Sequence, residues 1–260
     1  MTLALASFAG AIAFAWPLLR VPADGIGHAT DAPLVFLILL PILVLVVLAE
    51  ISTGGIDSKA LAMLGVLAAI GAALRPLGAG TAGIETTFFL LVLAGRVFGP
   101  GFGFVLGSTT LFASALLTGG VGPWLPFQML AASWVGLGAG LLPPVRGRKE
   151  IAMLAAYTAF AALAFGLLMN LWFWPFVLGD SGAISYLPGG SVAENVHRLL
   201  LYSLATSMGW DVLRAITNVI LVVLFGPAVL AVLRRTARRA VFGSAPAAAA
   251  AAQPQVTPVG

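Results

Sequence analysis

The sequence predicts an all-α integral membrane protein, a bundle of about eight transmembrane helices with both termini in the cytoplasm. Three observations lead there. Of the 260 residues, 60% are hydrophobic and only 8% are charged, and the mean hydropathy is +1.07. A soluble domain carries about 25% charged residues, so this chain cannot cover a surface that faces water. The apolar residues also come in continuous runs, near the roughly 20 residues a helix needs to cross a hydrocarbon core of about 30 Å. A membrane barrel would show alternating segments of about ten residues instead. Finally, the basic residues fall unequally on the two sides that these runs define.

The runs lie near 2–19, 33–49, 59–75, 84–98, 102–118, 124–142, 150–172 and 211–233. The first has no basic residue ahead of it, unlike a secretory signal peptide, and is read as a retained helix. The third, ALAMLGVLAAIGAALR, is rich in Ala and Leu, which favour helix. It carries Gly65, Ala69 and Ala73 at four-residue spacing, with Ala68 and Ala72 beside them. Small residues so spaced let helices approach closely in lipid, within one chain or between subunits. Several later runs are short or Gly-rich, which leaves their ends open by a few residues. In the long stretch 173–210, Ser191 to Glu194 reads as a capping box. It opens an amphipathic helix through about residue 207, with Asn195, His197, Arg198 and Ser203 among its polar members. The end of the chain, GSAPAAAAAAQPQVTPVG, is biased to Ala and Pro and lacks large apolar residues, so 241–260 is expected to be a disordered tail.

Charge sets the direction. With the N-terminus inside, the cytoplasmic side receives Lys59, Arg96, Arg146, Arg148, Lys149, Arg234, Arg235, Arg238 and Arg239. The outer side receives Arg20, Arg75, Arg198 and Arg214. The excess inside follows the rule that basic loops stay in the cytoplasm. A pI near 10.1 is then a sign of topology, and a nucleic-acid partner is not expected. The long loops, 173–210 among them, all fall outside, as they would if something were received there.

Several motifs invite a chemistry that their context denies. Gly78, Gly80 and Gly83 have the spacing of a dinucleotide-binding turn. That turn needs a strand before it and an acid about 20 residues on. Here a helical run precedes it and position 103 is Gly. The glycines are read as a compact, flexible outer loop beside a ligand site. GDSGA at 179–183 is like the nucleophile segment of serine proteases, but no Ser and His face each other on helices. Neither Lys59 nor Lys149 sits in a Walker A frame. With no cysteine, two separated histidines and few carboxylates, no metal site is expected.

The polar residues at outer helix ends are more informative. Burying Arg or Asp at a helix centre costs roughly 2.5–3.5 kcal/mol on insertion scales. Arg75, Glu85, Asp211 and Arg214 lie at helix ends, where snorkelling lowers that cost. Asp211, Arg214 and Asn218 share one helical stripe. They read either as a local ion pair with an interfacial anchor or as the polar lining of an outward cavity. Asn170 interrupts an apolar helix and is followed by Trp172 and Trp174. Trp124, Gln128, Tyr186, Tyr202 and Trp210 fall on the same side. Such aromatics form either an ordinary interfacial belt or a ligand pocket with a few polar groups. The candidate ligand-binding set is Arg75, Glu85, Trp124, Gln128, Asn170, Trp174, His197, Tyr202, Asp211, Arg214 and Asn218.

Three segments carry a family resemblance: SKALAMLGVLAAIGAALRPLG, FGPGFGFVLGSTTLFASALLTGG and GPWLPFQMLAASWVGLGAGLLPP. From residue 58 to about 235 the chain resembles the S-components of energy-coupling-factor (ECF) vitamin transporters, the membrane subunits that bind substrate. The resemblance implies a six-helix core, here 58–240, that binds a vitamin at its outer face through three loops. Those loops correspond to RPLGAGTAG, TGGVGPW and 173–210. It further implies an Ala-x-x-x-Ala face, matched by Ala68 and Ala72, that docks a transmembrane coupling protein. Gly65, Ala68, Ala69 and Ala72 are therefore the expected partner interface. Two separate ATPase subunits would supply the energy, so the chain itself is expected to be no enzyme, to need no cofactor and to sit in a bacterial plasma membrane. Residues 1–57, with two further helices, exceed the pattern and would either stabilise the core or occlude a partner surface. The chain also resembles an actinobacterial S-component group suspected of handling cobalamin, and a corrinoid would suit the long 173–210 segment; the vitamin is otherwise unspecified. The alternatives fit less well. A stand-alone secondary transporter would want an internal repeat and a carboxylate at a helix midpoint. An intramembrane enzyme would want a nucleophile or metal constellation, and none can be assembled.

Overall fold

A segment of chain in lipid can satisfy its backbone polar groups only internally, and a continuous apolar run does so as a helix. The computed structural model describes residues 2–19, 32–53, 58–78, 84–176 and 182–242, and every regular element among them is helical. In chain order these are α1 (Thr2–Leu19), α2 (Ala32–Thr53), α3 (Ser58–Leu77), α4 (Thr87–Phe98) and α5 (Pro100–Thr118). There follow α6 (Leu125–Leu141), α7 (Arg148–Phe173), α8 (Val192–Thr206) and α9 (Met208–Phe242). Each apolar run became a helix, and α8 is the expected amphipathic one, with Ser191 Oγ accepting from the Glu194 N–H at 3.2 Å. Gly80, Gly83, His28 and residues 243–260 of the expected tail lie outside the described residues.

Among the described residues, four helices are long and apolar enough to cross a membrane: Ser58–Leu77, Pro100–Thr118, Arg148–Phe173 and Met208–Arg238. Helix α4 differs. Its 12 residues span roughly 18 Å at about 1.5 Å per residue, well short of a bilayer core. Consecutive residues Leu91, Val92, Leu93 and Ala94 are all fully buried, so α4 is enclosed on every side. It is the axis of the bundle.

Glycine explains how helices close so tightly around it. A Cβ on Gly95 or Gly103 would overlap the Gly136 carbonyl, and one on Gly107 would overlap that of Ala132. Helices α4, α5 and α6 therefore meet backbone to backbone, as small residues allow in lipid. In α6, Gly136 and Gly140 face this contact. Gly138 faces the other way, against the Tyr157 ring of α7, whose hydroxyl donates to the Val135 carbonyl at 2.8 Å.

The two N-terminal helices pack on the outside of this core. Helix α1 runs antiparallel to α6: Trp134 Nε1 donates to Ser7 Oγ at 3.0 Å, and the Phe14 ring meets Phe127 edge-on. Helix α2 brings the Glu50 carboxylate to Gly101 in the first turn of α5, where a negative charge complements the helix dipole. Neither packs extensively on α3.

At the basic end of the bundle, buried Glu150 accepts from Arg96 Nε at 2.8 Å and from Arg234 at 2.6 Å. Arg96 also donates to the Leu142 and Val145 carbonyls. One charged cluster thus joins α4, the α6–α7 connection, α7 and α9. A hollow lined by Arg148, Glu150, Pro227 and Arg234 lies beside this cluster, and the other end of the bundle carries a cavity bordered by charged residues of several helices.

Candidate functional site: a cavity at the outer end

Helix α3 stops at Pro76–Leu77, and the Gly78 N–H donates back to the Arg75 carbonyl at 3.3 Å. A Cβ on Gly78 would overlap the Ile84 carbonyl, so the two ends of the intervening loop touch. That closure brings Glu85, just before α4, opposite Arg75, with Nε and Oε1 4.0 Å apart. Arg75 also donates to Gln128 Oε1 of α6 at 3.0 Å.

Helix α9 supplies the second cation. Arg214 donates to Glu85 Oε2 at 2.9 Å and to Asp211 Oδ1 at 2.6 Å. Its guanidinium carbon lies 5.3 Å from the centre of the Phe165 ring and 5.9 Å from that of Phe88, an arrangement that favours a cation. Asp211 also accepts from Ser207 Oγ at 3.1 Å, and Asn170 Nδ2 donates to Ser203 and Ser207. Polar contacts therefore run without a break from Asn170 on α7, through Asp211, Arg214, Glu85 and Arg75, to Gln128 on α6.

Asn218, one turn deeper on α9, is fully buried. Its Oδ1 accepts from the Phe89 N–H at 2.7 Å, and its Nδ2 donates to the carbonyls of Glu85 and Arg214. Thr86, the residue before α4, makes no side-chain cap. Asn218 supplies one from 129 residues away and holds Glu85 in place while doing so.

These groups border a cavity of about 430 Å³, lined among others by Arg75, Glu85, Ser114, Trp124, Gln128 and Arg214. A second hollow of about 370 Å³ adjoins it, lined by Trp124, Gln128, Met169, Asn170, Trp172 and Phe173. Trp124 and Gln128 belong to both and stand between them.

The family model for the ECF transporter, substrate-specific component, matches residues 59–226. The chain belongs to that family. No curated protein and no solved structure matches it. The matched segment begins at the start of α3 and ends within α9, and α1 and α2 lie outside the match. The family is one of transporter subunits rather than enzymes, and its members sit in the membrane and function with a coupling protein and ATPases.

Of the candidate ligand-binding residues of this S-component, Arg75, Glu85, Trp124, Gln128 and Arg214 line the larger cavity and Asn170 the smaller. Asp211 and Asn218 stand behind it and orient Arg214 and Glu85. Trp174 is buried, with Nε1 donating to the Ile184 carbonyl at 2.7 Å and its ring edge-on to Tyr186. It fastens the outer segment to the bundle and does not line either hollow. Burial pushes the Tyr186 hydroxyl above its ordinary value, so that ring stays neutral. His197 is exposed on α8 and Tyr202 is half-buried there, and neither borders the two cavities. Ser114, Thr118, Phe165 and Gly166 are additions. A Cβ on Gly166 would overlap the Asp211 carboxylate. Nothing in the local sequence marks that contact, because its partner is on another helix.

The small-residue face of α3 is also divided. Ala68 and Ala72, expected at the partner surface, turn inward; Ala72 is fully buried, and a Cβ on Gly71 would meet Thr110 of α5. Gly65, Ala69 and Ala73 are exposed. One residue is about 100° of helix rotation, and the α5 contact selects which stripe is covered. The accessible stripe is thus Gly65, Ala69 and Ala73.

Proposed function

We propose that this S-component binds a vitamin-class micronutrient in the outer cavity, in a bacterial plasma membrane, and releases it inward when a transmembrane coupling protein and two ATPases engage α3. Family membership gives the class of protein, and the cavity bordered by the Arg75–Glu85–Arg214 network is the observation that carries the location. A hollow with aromatic walls and a few convergent polar groups is the ordinary form of a small-molecule site. The core helices α3, α4, α6, α7 and α9 all contribute to it or to the network behind it, so movement of α3 by a partner would be felt by the ligand. Purified protein is expected to bind a vitamin without ATP, and to co-purify with coupling protein and ATPases when these are co-expressed. Ala69→Trp should abolish that co-purification while leaving ligand binding intact. Ala72→Trp should reduce the yield of folded protein instead, since its side chain has no space. Equal co-purification of Ala69→Trp and the unaltered chain would remove α3 as the docking helix, and failure to bind any vitamin would remove the receptor reading.

A further inference from the structure

We infer that the ligand of the outer cavity is a small anion, a molecule of one or two rings bearing a carboxylate or phosphate, and that Arg75 receives that group. The inference rests on the receptor reading above and adds charge and size to it.

The two cations at the cavity differ in how far they are neutralised. Arg214 has a carboxylate oxygen within hydrogen-bond distance on each side, from Glu85 and from Asp211. Among the described residues Arg75 has none: its nearest carboxylate oxygen is 4.0 Å away, and its hydrogen bond goes to the neutral Gln128. Glu85 turns Oε1 toward Arg75 from outside hydrogen-bond distance, while its Oε2 is held by Arg214, so one carboxylate is shared between two cations. Asp211, the other acid of the network, lies outside the cavity lining. The wall therefore presents a guanidinium fork with donors to spare, in a position only 25% exposed. A planar fork of five N–H donors matches a carboxylate or phosphate in two-point geometry.

Ser114 of α5 borders the cavity as well, but its hydroxyl is fully buried and, like five others among the described residues, has no hydrogen-bond partner, so it is not presented to a ligand. Trp124, Trp210 and Phe165 supply apolar faces around the cavity. Volume then limits the ligand. About 430 Å³ is near the low end of the roughly 300–1,000 Å³ typical of small-molecule sites. That volume suits a ligand of one or two rings.

The test is a binding titration on the full chain in lipid nanodiscs, followed by calorimetry. The probes are matched pairs (nicotinate and nicotinamide, biotin and biotin amide, pyridoxal phosphate and pyridoxal), with thiamine as a cation and cobalamin as a large ligand. The anionic member of at least one pair should bind about tenfold or more tighter than its neutral mate, as expected of a hydrogen bond to a charged group. Arg75→Gln should abolish that preference, weakening the anion about tenfold more than its neutral mate. Should Arg75→Gln fail to fold, Arg75→Lys retains the charge without the fork and is expected to lose most of the preference. Tightest binding by thiamine, cobalamin or a neutral mate, or a preference untouched by both Arg75 variants, overturns the ligand class and leaves the receptor reading standing. Absence of binding by every probe overturns both.

Discussion

Gly166 shows how much of the outer site depends on residues that never touch the cavity. Its missing side chain is the space that the Asp211 carboxylate occupies, and Asp211 in turn holds Arg214. Gly166→Ala is expected to displace that carboxylate at a cost of about 1–3 kcal/mol, the usual range for overpacking. Thermal unfolding in detergent should register the loss, and ligand affinity should fall with it. Gly65→Ala is the matched control, because its Cβ meets nothing within 4 Å; it should raise the unfolding temperature slightly through helix propensity and leave ligand affinity unchanged. The stripe Asp211, Arg214, Asn218 was legible from spacing alone, since helical periodicity places i, i+3 and i+7 together. That Asn218 caps α4 was not, because the orphan N–H of Phe89 belongs to a helix 129 residues away.

Among the elements, the contact between α5 and α6 is the closest, and glycine is the reason. Replacing Gly by Ala inside a helix ordinarily stabilises it by about 1 kcal/mol through propensity. At Gly103 the sign should reverse, since the new methyl group would meet the backbone of Gly136, which cannot rotate away. Gly103→Ala is therefore expected to destabilise by about 1–3 kcal/mol net, or more, visible as a lower unfolding temperature and a reduced folded yield. A gain in stability would show that the two backbones are not in contact. The G-x-G-x-G run in α6 was visible in the sequence, but its use was not. Gly136 and Gly140 serve the α4–α5 side and Gly138 the Tyr157 side. The same holds for α3, where two adjacent small-residue stripes looked equivalent until α5 covered one of them.

The whole molecule is fastened at both ends by charge and in the middle by apolar packing. At the basic end Glu150 is 2% exposed and joins Arg96 and Arg234. Removing one member of a buried pair costs about 3–5 kcal/mol because the remaining charge loses its compensation. Glu150→Ala should approach that loss in thermal unfolding, and Glu150→Gln, which keeps a hydrogen-bond acceptor, should lose less. Arg96 and Arg234 had counted in the sequence only as markers of the cytoplasmic side; they are also structural. Helices α1 and α2 cover α6 and the first turn of α5, and the exposed stripe of α3 is left open. Of the two roles open to them, this placement favours support of the core.

The sequence by itself determined the solvent, the helical form of the apolar runs, and the sorting of loops to two ends. Each of these depends on an average over a local window, hydropathy along about 20 residues or charge within a loop, and survives errors of a few residues at any boundary. Only the tertiary structure decided which outer polar residues share a cavity, which of them stand behind it, and which stripe of α3 stays accessible. Those outcomes follow from the rotation of each helix about its own axis. That rotation is set by contacts between distant glycines, carbonyls and carboxylates, and no local pattern encodes it.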